Sequence, residues 1–203
     1  MENKKTVQAK NLILVGDSVF DNQVYVDPGQ ASVTKHLRRK LEPLNWTLDM
    51  RAVDGAVVSD VKYQLANKSV PSSCTFVMSA GGNDALQYLD QIATLGLMDF
   101  YEIKERFRKE YTQTLNEILG YGQPLIICTI YNPKMPEPQV QKLAEAGLSF
   151  FNDVICEEAL GRDIPIIDLR DVCSDASAFA NPIEPSEIGG DLITDAIISE
   201  ITA

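Results

Sequence analysis

Ser18 follows Gly16-Asp17 directly after the apolar run Asn11–Val15. A serine just past a sharp strand-to-loop junction, with glycine two residues earlier, can present its hydroxyl to a crevice, as a nucleophile must. Gly55, at the end of Arg51-Ala52-Val53-Asp54-Gly55, leaves a backbone N–H open to close approach by a substrate oxygen. Asn83, in Gly81-Gly82-Asn83-Asp84, offers a side-chain amide as a second donor, and the N–H of Ser18 is a third. Three donors aimed at one point make an oxyanion hole, where losing one donor typically costs about 10²–10³ in rate. Taken singly, each signal has an ordinary reading: a Gly-Asp-Ser turn occurs by chance, and Asn83 or Asp84 can simply cap a helix. Their order along the chain, and what precedes each of them, changes that balance.

Short β-branched-rich runs alternate with longer helical patterns. They predict strands over Asn11–Val15, Thr47–Ala52, Cys74–Ser79, Pro124–Ile130 and Ile164–Asp168, and helices over Ala31–Leu41, Val58–Asn67, Asp84–Leu119, Pro138–Leu160 and Ser186–Thr202. The third helical stretch is expected to break near Gly96, because an interior glycine costs about 1 kcal/mol. Five strands joined by helical crossovers imply a parallel sheet covered on both faces, a flavodoxin-like three-layer α/β/α sandwich of the α/β class. Such sheets hold their sites at the carboxyl ends of the strands. Gly16-Asp17-Ser18, Gly55 and Gly82-Asn83-Asp84 all fall there, after or at the end of the first three strands. The segment from Leu86 to Asp99 is expected to wall the pocket.

Gly16-Asp17-Ser18, Gly55 and Gly82-Asn83-Asp84 resemble the first three sequence blocks of the SGNH/GDSL hydrolase superfamily, in order and at suitable spacing. The first block reads Gly-Asp-Ser-Val here, where the family name has leucine last. The resemblance covers almost the whole chain and implies a single domain over residues 1–203. It assigns the nucleophile to Ser18 and the oxyanion hole to Ser18, Gly55 and Asn83, and it implies carboxylic-ester hydrolysis. The fourth block departs. The family has Asp-x-x-His, whereas this chain has Asn181-Pro182-Ile183-Glu184, followed by Pro185-Ser186. Asparagine stands in the aspartate's place and glutamate in the histidine's.

Three residues bear on how the missing imidazole is replaced. Glu184 keeps the family frame and is expected near the Ser18 hydroxyl, as base, orienting group or positioner of water. An ordinary carboxyl pKa of about 4.3 makes it a weak base unless burial raises it. The alternative is a cap on the last helix. Arg51 is the candidate cationic neighbour, able to pair with Glu184 or to bind substrate, against a plain salt bridge to Asp54 or another acid. Always protonated, it cannot act as a base. His36, the one histidine, lies in the basic segment Thr34–Lys40 and reads as a solvent-facing helix residue.

The 203 residues carry 18 basic and 29 acidic side chains, a net charge of −11, which argues against nucleic acid or an anionic membrane as partner. Basic residues cluster only at Lys35–Lys40 and Lys104–Lys109, read as solvated helix faces. The apolar run behind MENKKTVQAK is too short for a membrane span, so a cytoplasmic protein is expected. One histidine and four cysteines without Cys-x-x-Cys spacing make a metal site improbable, and Cys74 and Cys128 read as buried free thiols. No Gly-x-Gly-x-x-Gly supports a nucleotide or flavin module, and no cofactor is expected. The expectation is a slow serine esterase acting on small activated esters. The alternative is a non-catalytic relative that binds an ester, sugar or acyl ligand in the old crevice.

Overall fold

A computed structural model describes residues 10–91 and 93–203. Residues 1–9, most of the charged stretch MENKKTVQAK, and Ile92, within the expected pocket wall, lie outside the described residues. Five strands, β1 (Lys10–Gly16), β2 (Trp46–Met50), β3 (Cys74–Ser79), β4 (Leu125–Cys128) and β5 (Ile166–Ile167), form one sheet. All neighbours are parallel and the order is β2-β1-β3-β4-β5.

The period-2 alternation of strand side chains builds two cores. Leu12, Leu14, Val77, Ile126 and Cys128 point to one face, where α1 (Val33–Leu41), the short α6 (Leu169–Val172) and α7 (Glu187–Thr202) cover them. Ile13, Val15, Phe76, Met78 and Ile127 point to the other, under α2 (Val61–Leu65), α4 (Leu97–Leu119) and α5 (Pro138–Leu160). The three-layer expectation holds. The predicted break in the third helical stretch falls at Gly96, which caps α4, while Gly82–Leu86 forms a separate short helix, α3. Among the described residues no helix is long and apolar enough to cross a membrane.

Several elements are shorter than the sequence suggests, each for a local reason. β2 stops at Met50 because the N–H groups of Arg51 and Ala52 both turn onto the Leu14 carbonyl, at 2.9 and 3.0 Å. β5 shrinks to two residues because Pro165 has no N–H to give the ladder and Asp168 leaves it to cap α6, accepting from the Arg170 N–H. The predicted helix over Val58–Asn67 divides into a 3₁₀ turn, Val58–Asp60, and α2. Cys74 and Cys128 are buried free thiols.

The end of β1 is held with particular firmness. Gln64, 5% exposed, accepts from the Gly16 N–H at 2.8 Å and donates to the Gly16 carbonyl at 2.7 Å, clamping both ends of one residue. Gly16 has φ +125, and a Cβ added there would lie 1.7 Å from the Ser79 carbonyl oxygen of the neighbouring strand. Glycine thus allows β1 and β3 to pair up to the point where Ser18 begins. Gly16→Ala is expected to cost about 3 kcal/mol or more. For a chain of this size that is a fall in Tm of roughly 6–12 °C. A calorimetric Tm equal to that of the unaltered protein would show that the β1–β3 junction does not depend on this close approach.

Candidate functional site

The sheet order changes direction at β1, so the chain leaves β1 and β3 on diverging paths and opens a crevice at their carboxyl ends. Ser18 comes from the loop after β1 and Asn83 from the first turn of α3, after β3. Gly55 comes from the loop after β2, in a turn closed by the Ala56 N–H on the Val53 carbonyl at 3.1 Å. Its φ of +78 at the third position is the value a type II turn requires and glycine supplies.

The fourth contribution arrives from 166 positions away. Ser18 Oγ donates to Glu184 Oε1 at 3.0 Å, with Ser18 7% and Glu184 6% exposed. The second carboxylate oxygen, Oε2, is buried with no hydrogen-bond partner among the described residues.

The loop that carries Glu184 is tightly fixed. Asn181 Oδ1 accepts from the N–H groups of both Ile183 and Glu184, each at 3.0 Å, forming an Asx turn. Tyr131, after β4, donates its hydroxyl to the Ile183 carbonyl at 2.6 Å, and Asn22 Nδ2 donates to the Pro185 carbonyl at 3.0 Å. The Ala180 N–H closes the loop on the Glu184 carbonyl at 2.8 Å. The helix-cap alternative for Glu184 is not what the fold uses. Ser186 caps α7, accepting from the Gly189 N–H at 3.2 Å, and leaves Glu184 free to face the serine.

The donors named from the sequence are free for a ligand. Among the described residues, neither the Ser18 nor the Gly55 N–H has an acceptor. Asn83 Nδ2 gives one hydrogen to the Ala56 carbonyl at 3.0 Å, which ties the β3 loop to the Gly55 loop and leaves its second hydrogen available.

Two candidates from the sequence lie elsewhere. Arg51 is 3% exposed and committed to structure: Nε and Nη2 pair with Asp49 Oδ2 at 2.8 and 2.6 Å, and Nη2 donates to the Ser69 carbonyl at 2.8 Å. The catalytic role is corrected to the salt-bridge reading, with Asp49 as partner instead of Asp54. The reason is strand periodicity, since residues two apart in an extended segment share a face. His36 is not solvent-facing either. It packs between α1 and α7 with Nδ1 3.1 Å from Asp191 Oδ1, its side chain 14% exposed and its Nε2 buried without a partner among the described residues.

Two carboxyl groups to which the sequence reading gives no part in the chemistry, Asp17 and Asp84, are buried past the ends of β1 and β3. Asp17 is buried and lines the cleft with Ser18 and Glu184. Burial, with Glu184 and Asp84 as like charges, pushes its pKa up to about 7 against the N–H of Val19, which lowers it. Asp84, buried and accepting from the Val58 N–H at 3.0 Å, is raised to about 6, again chiefly by burial. Glu184 is raised to about 7 by burial and by the charge of Asp54, opposed by the Ser18 hydrogen bond. At neutral pH the carboxylate at Ser18 therefore sits near the pKa an acid–base catalyst needs. Asp17 stood in view inside Gly-Asp-Ser, but nothing in the sequence signalled its burial. Among the described residues no group of three or more His, Cys, Asp or Glu side chains is set to hold a metal ion.

From the serine an apolar cleft runs between α3, α4 and α5, walled by Leu86, Leu89, Phe100, Ile103, Ile130 and Phe151. Leu86 and Leu89 meet the expectation of a wall after Asn83. The contribution of α5, including Ala144 and Leu148, had no signal beyond ordinary helix amphipathicity.

No protein-family model and no curated protein matches the chain. Solved structures do. A lipase from a goat rumen metagenome superposes with a TM-score of 0.74 at 20% identity, over 94% of this chain and 96% of that one. Phospholipase A1 from Streptomyces albidoflavus gives 0.71 at 14% identity, over 94% and 99%. A member of the lipolytic G-D-S-L family from Veillonella parvula gives 0.65 at 16% identity, over 96% and 99%. The chain has the fold of the SGNH/GDSL lipolytic hydrolases.

Proposed function

We propose that the protein is a serine-dependent carboxylic-ester hydrolase in which a Ser18–Glu184 dyad replaces the family's triad. The observation that carries this reading is the buried 3.0 Å hydrogen bond from Ser18 Oγ to Glu184 Oε1. Beside it stand unoccupied N–H donors, and an apolar cleft leads away from it. That the structural neighbours include a lipase and a phospholipase A1 supports the same reaction class.

In the proposed cycle Glu184 takes the Ser18 proton as Oγ bonds to the acyl carbon. The N–H groups of Ser18 and Gly55 and the free amide hydrogen of Asn83 hold the oxyanion. Collapse breaks the ester C–O bond, and the departing alcohol oxygen takes the proton from Glu184. Water then adds to the acyl-serine with Glu184 again as base, releasing the carboxylic acid and restoring Ser18. Proton transfer to Glu184 leaves a neutral carboxyl where a histidine would leave an imidazolium, so nothing cationic offsets the oxyanion that develops beside the buried Asp17. Good leaving groups are therefore preferred and turnover is slow.

The test is p-nitrophenyl acetate hydrolysis together with labelling by a fluorophosphonate. Turnover with label on Ser18 is expected. Because Glu184 must be ionised to accept the proton, kcat/KM should rise with pH through about 7 and level off above it. An unlabelled Ser18 and no turnover across that range would leave the ligand-binding alternative in its place.

A further inference from the structure

Outside the apolar cleft the site has an acidic rim: Asp54 directly precedes Gly55, and Asp21 directly precedes Asn22, whose Nδ2 holds the Pro185 carbonyl next to Glu184 at 3.0 Å. Tyr25 donates its hydroxyl to Asp54, 3.0 Å from Oδ1 and 2.9 Å from Oδ2, and the Asp54 N–H donates to Asp21 Oδ2 at 3.1 Å. None of these three residues lines the apolar cleft. They are nonetheless coupled to the serine's partner. Asp54 is the charge that raises Glu184, and Glu184, Asp54 and Asp21 are the charges that raise Tyr25, whose hydroxyl is pushed up to about 12, first of all by its bond to Asp54. Among the described residues Asp21, Asp54 and Glu184 form no ion pair, and Arg51, the cation expected there, is held by Asp49. The same end holds an unmatched polar atom: Glu184 is more than nine-tenths buried, lines the cleft, and its Oε2 lacks a partner.

The chemistry orients a substrate across this arrangement. Glu184 returns its proton to the leaving oxygen, so the alcohol portion of an ester lies on the Glu184 side and the acyl portion extends into the apolar cleft. We infer that the alcohol portion of the preferred substrate is cationic, an amino or quaternary ammonium alcohol received by the carboxylate of Asp54 and the ring of Tyr25. This deepens the ester-hydrolase reading and rests on it. A quaternary ammonium is attracted by an aromatic ring as well as by a carboxylate, and the hydrogen bonds from the Tyr25 hydroxyl to Asp54 keep one of each side by side. The net charge of −11 draws cations toward the molecule from a distance.

The experiment compares kcat/KM for acetylcholine with that for 3,3-dimethylbutyl acetate, which has the same shape with carbon in place of the charged nitrogen. Taking the ratio within each variant cancels any change in the shared machinery. The unaltered protein is expected to favour the choline ester by about tenfold, a difference of about 1.4 kcal/mol. In Asp54→Asn the ratio should fall to about threefold or less. Raising the salt to about 1 M, where the screening length is about 3 Å, should lower it in the unaltered protein. Equal kcat/KM for the two esters, both being hydrolysed, overturns the inference, as does a preference that Asp54→Asn leaves intact. Loss of turnover on every ester, p-nitrophenyl acetate included, sinks the hydrolase reading instead. The rim is then judged by thermal stabilisation with choline against 3,3-dimethylbutanol, and equal stabilisation by the two overturns the inference on its own.

Discussion

Glu184→Gln is expected to lower kcat/KM for p-nitrophenyl acetate by about 10²–10⁴, the range general acid–base catalysis commonly supplies. Ser18→Ala should remove the fluorophosphonate label altogether. Glutamine keeps the shape of the side chain and can still accept the 3.0 Å hydrogen bond from Ser18, but it cannot take the proton. The folding consequence runs the other way. Glu184 has its folded-state pKa raised from 4.5 to about 7, so the folded protein binds the proton more tightly than the unfolded chain does. Stability on this account is greatest below about pH 4.5 and declines as pH rises to about 7, because ν_N exceeds ν_U throughout that window. Above it the ionised carboxylate is a net burden, and Glu184→Gln should have a Tm at pH 8 equal to or above that of the unaltered protein. A large fall in rate with a preserved or higher Tm identifies a residue that moves a proton. A rate and Tm that fall together identify one that holds the loop.

The second large effect is a gain. Asn181→Asp with Glu184→His should raise kcat/KM by about 10- to 100-fold, within the range of a better proton-transfer group. Base strength is not the source, since an ordinary imidazole near 6.5 is no more basic than Glu184 at about 7. Charge is. With glutamate as base, attack moves one negative charge from carboxyl to oxyanion among Asp17, Asp54 and Asp84. With histidine it creates an imidazolium beside the oxyanion, where those same carboxylates become favourable neighbours. Asn181 uses only Oδ1 for the N–H groups of Ile183 and Glu184, so an aspartate in its place would keep the Asx turn through one oxygen and offer the other to the imidazole. A double variant no faster than the parent, yet folded, would show that the oxyanion donors and the cleft are not competent for ester hydrolysis.

Local pattern carried much of this into view. The continuous apolar run Leu12–Val15 is readable as a strand of a parallel sheet buried on both faces, and Gly96 is readable as a helix boundary. Ser18, Gly55 and Asn83 stand out as small or polar positions just past predicted strands, whereas Glu184 comes into view only through the frame of the fourth block in the family resemblance. What escaped depended on tertiary packing or on a competition between partners. Arg51 faced two acids in the sequence, and Asp49 won by sharing its side of the strand, a signal present in the i, i+2 spacing. His36 finds Asp191 only because α1 lies against α7. Tyr131 and Asn22 bond the backbone around Glu184, and backbone carbonyls leave no trace in residue identity.

Ser18 and Glu184 stand 166 positions apart, and other contacts join the same two ends of the chain. Asn22 meets Pro185, the Ala31 N–H meets Glu187, and Lys40 meets Asp195. Closing so long a loop is entropically demanding, and contacts of this separation are gathered late when a chain folds. A nascent chain still lacking its last helix and the loop before it would own Ser18, Gly55 and Asn83 but not Glu184, the base of the proposed cycle. Competence would therefore arrive all at once, with the docking of the final helix, and the rate of ester turnover during refolding would serve as a clock for that last step.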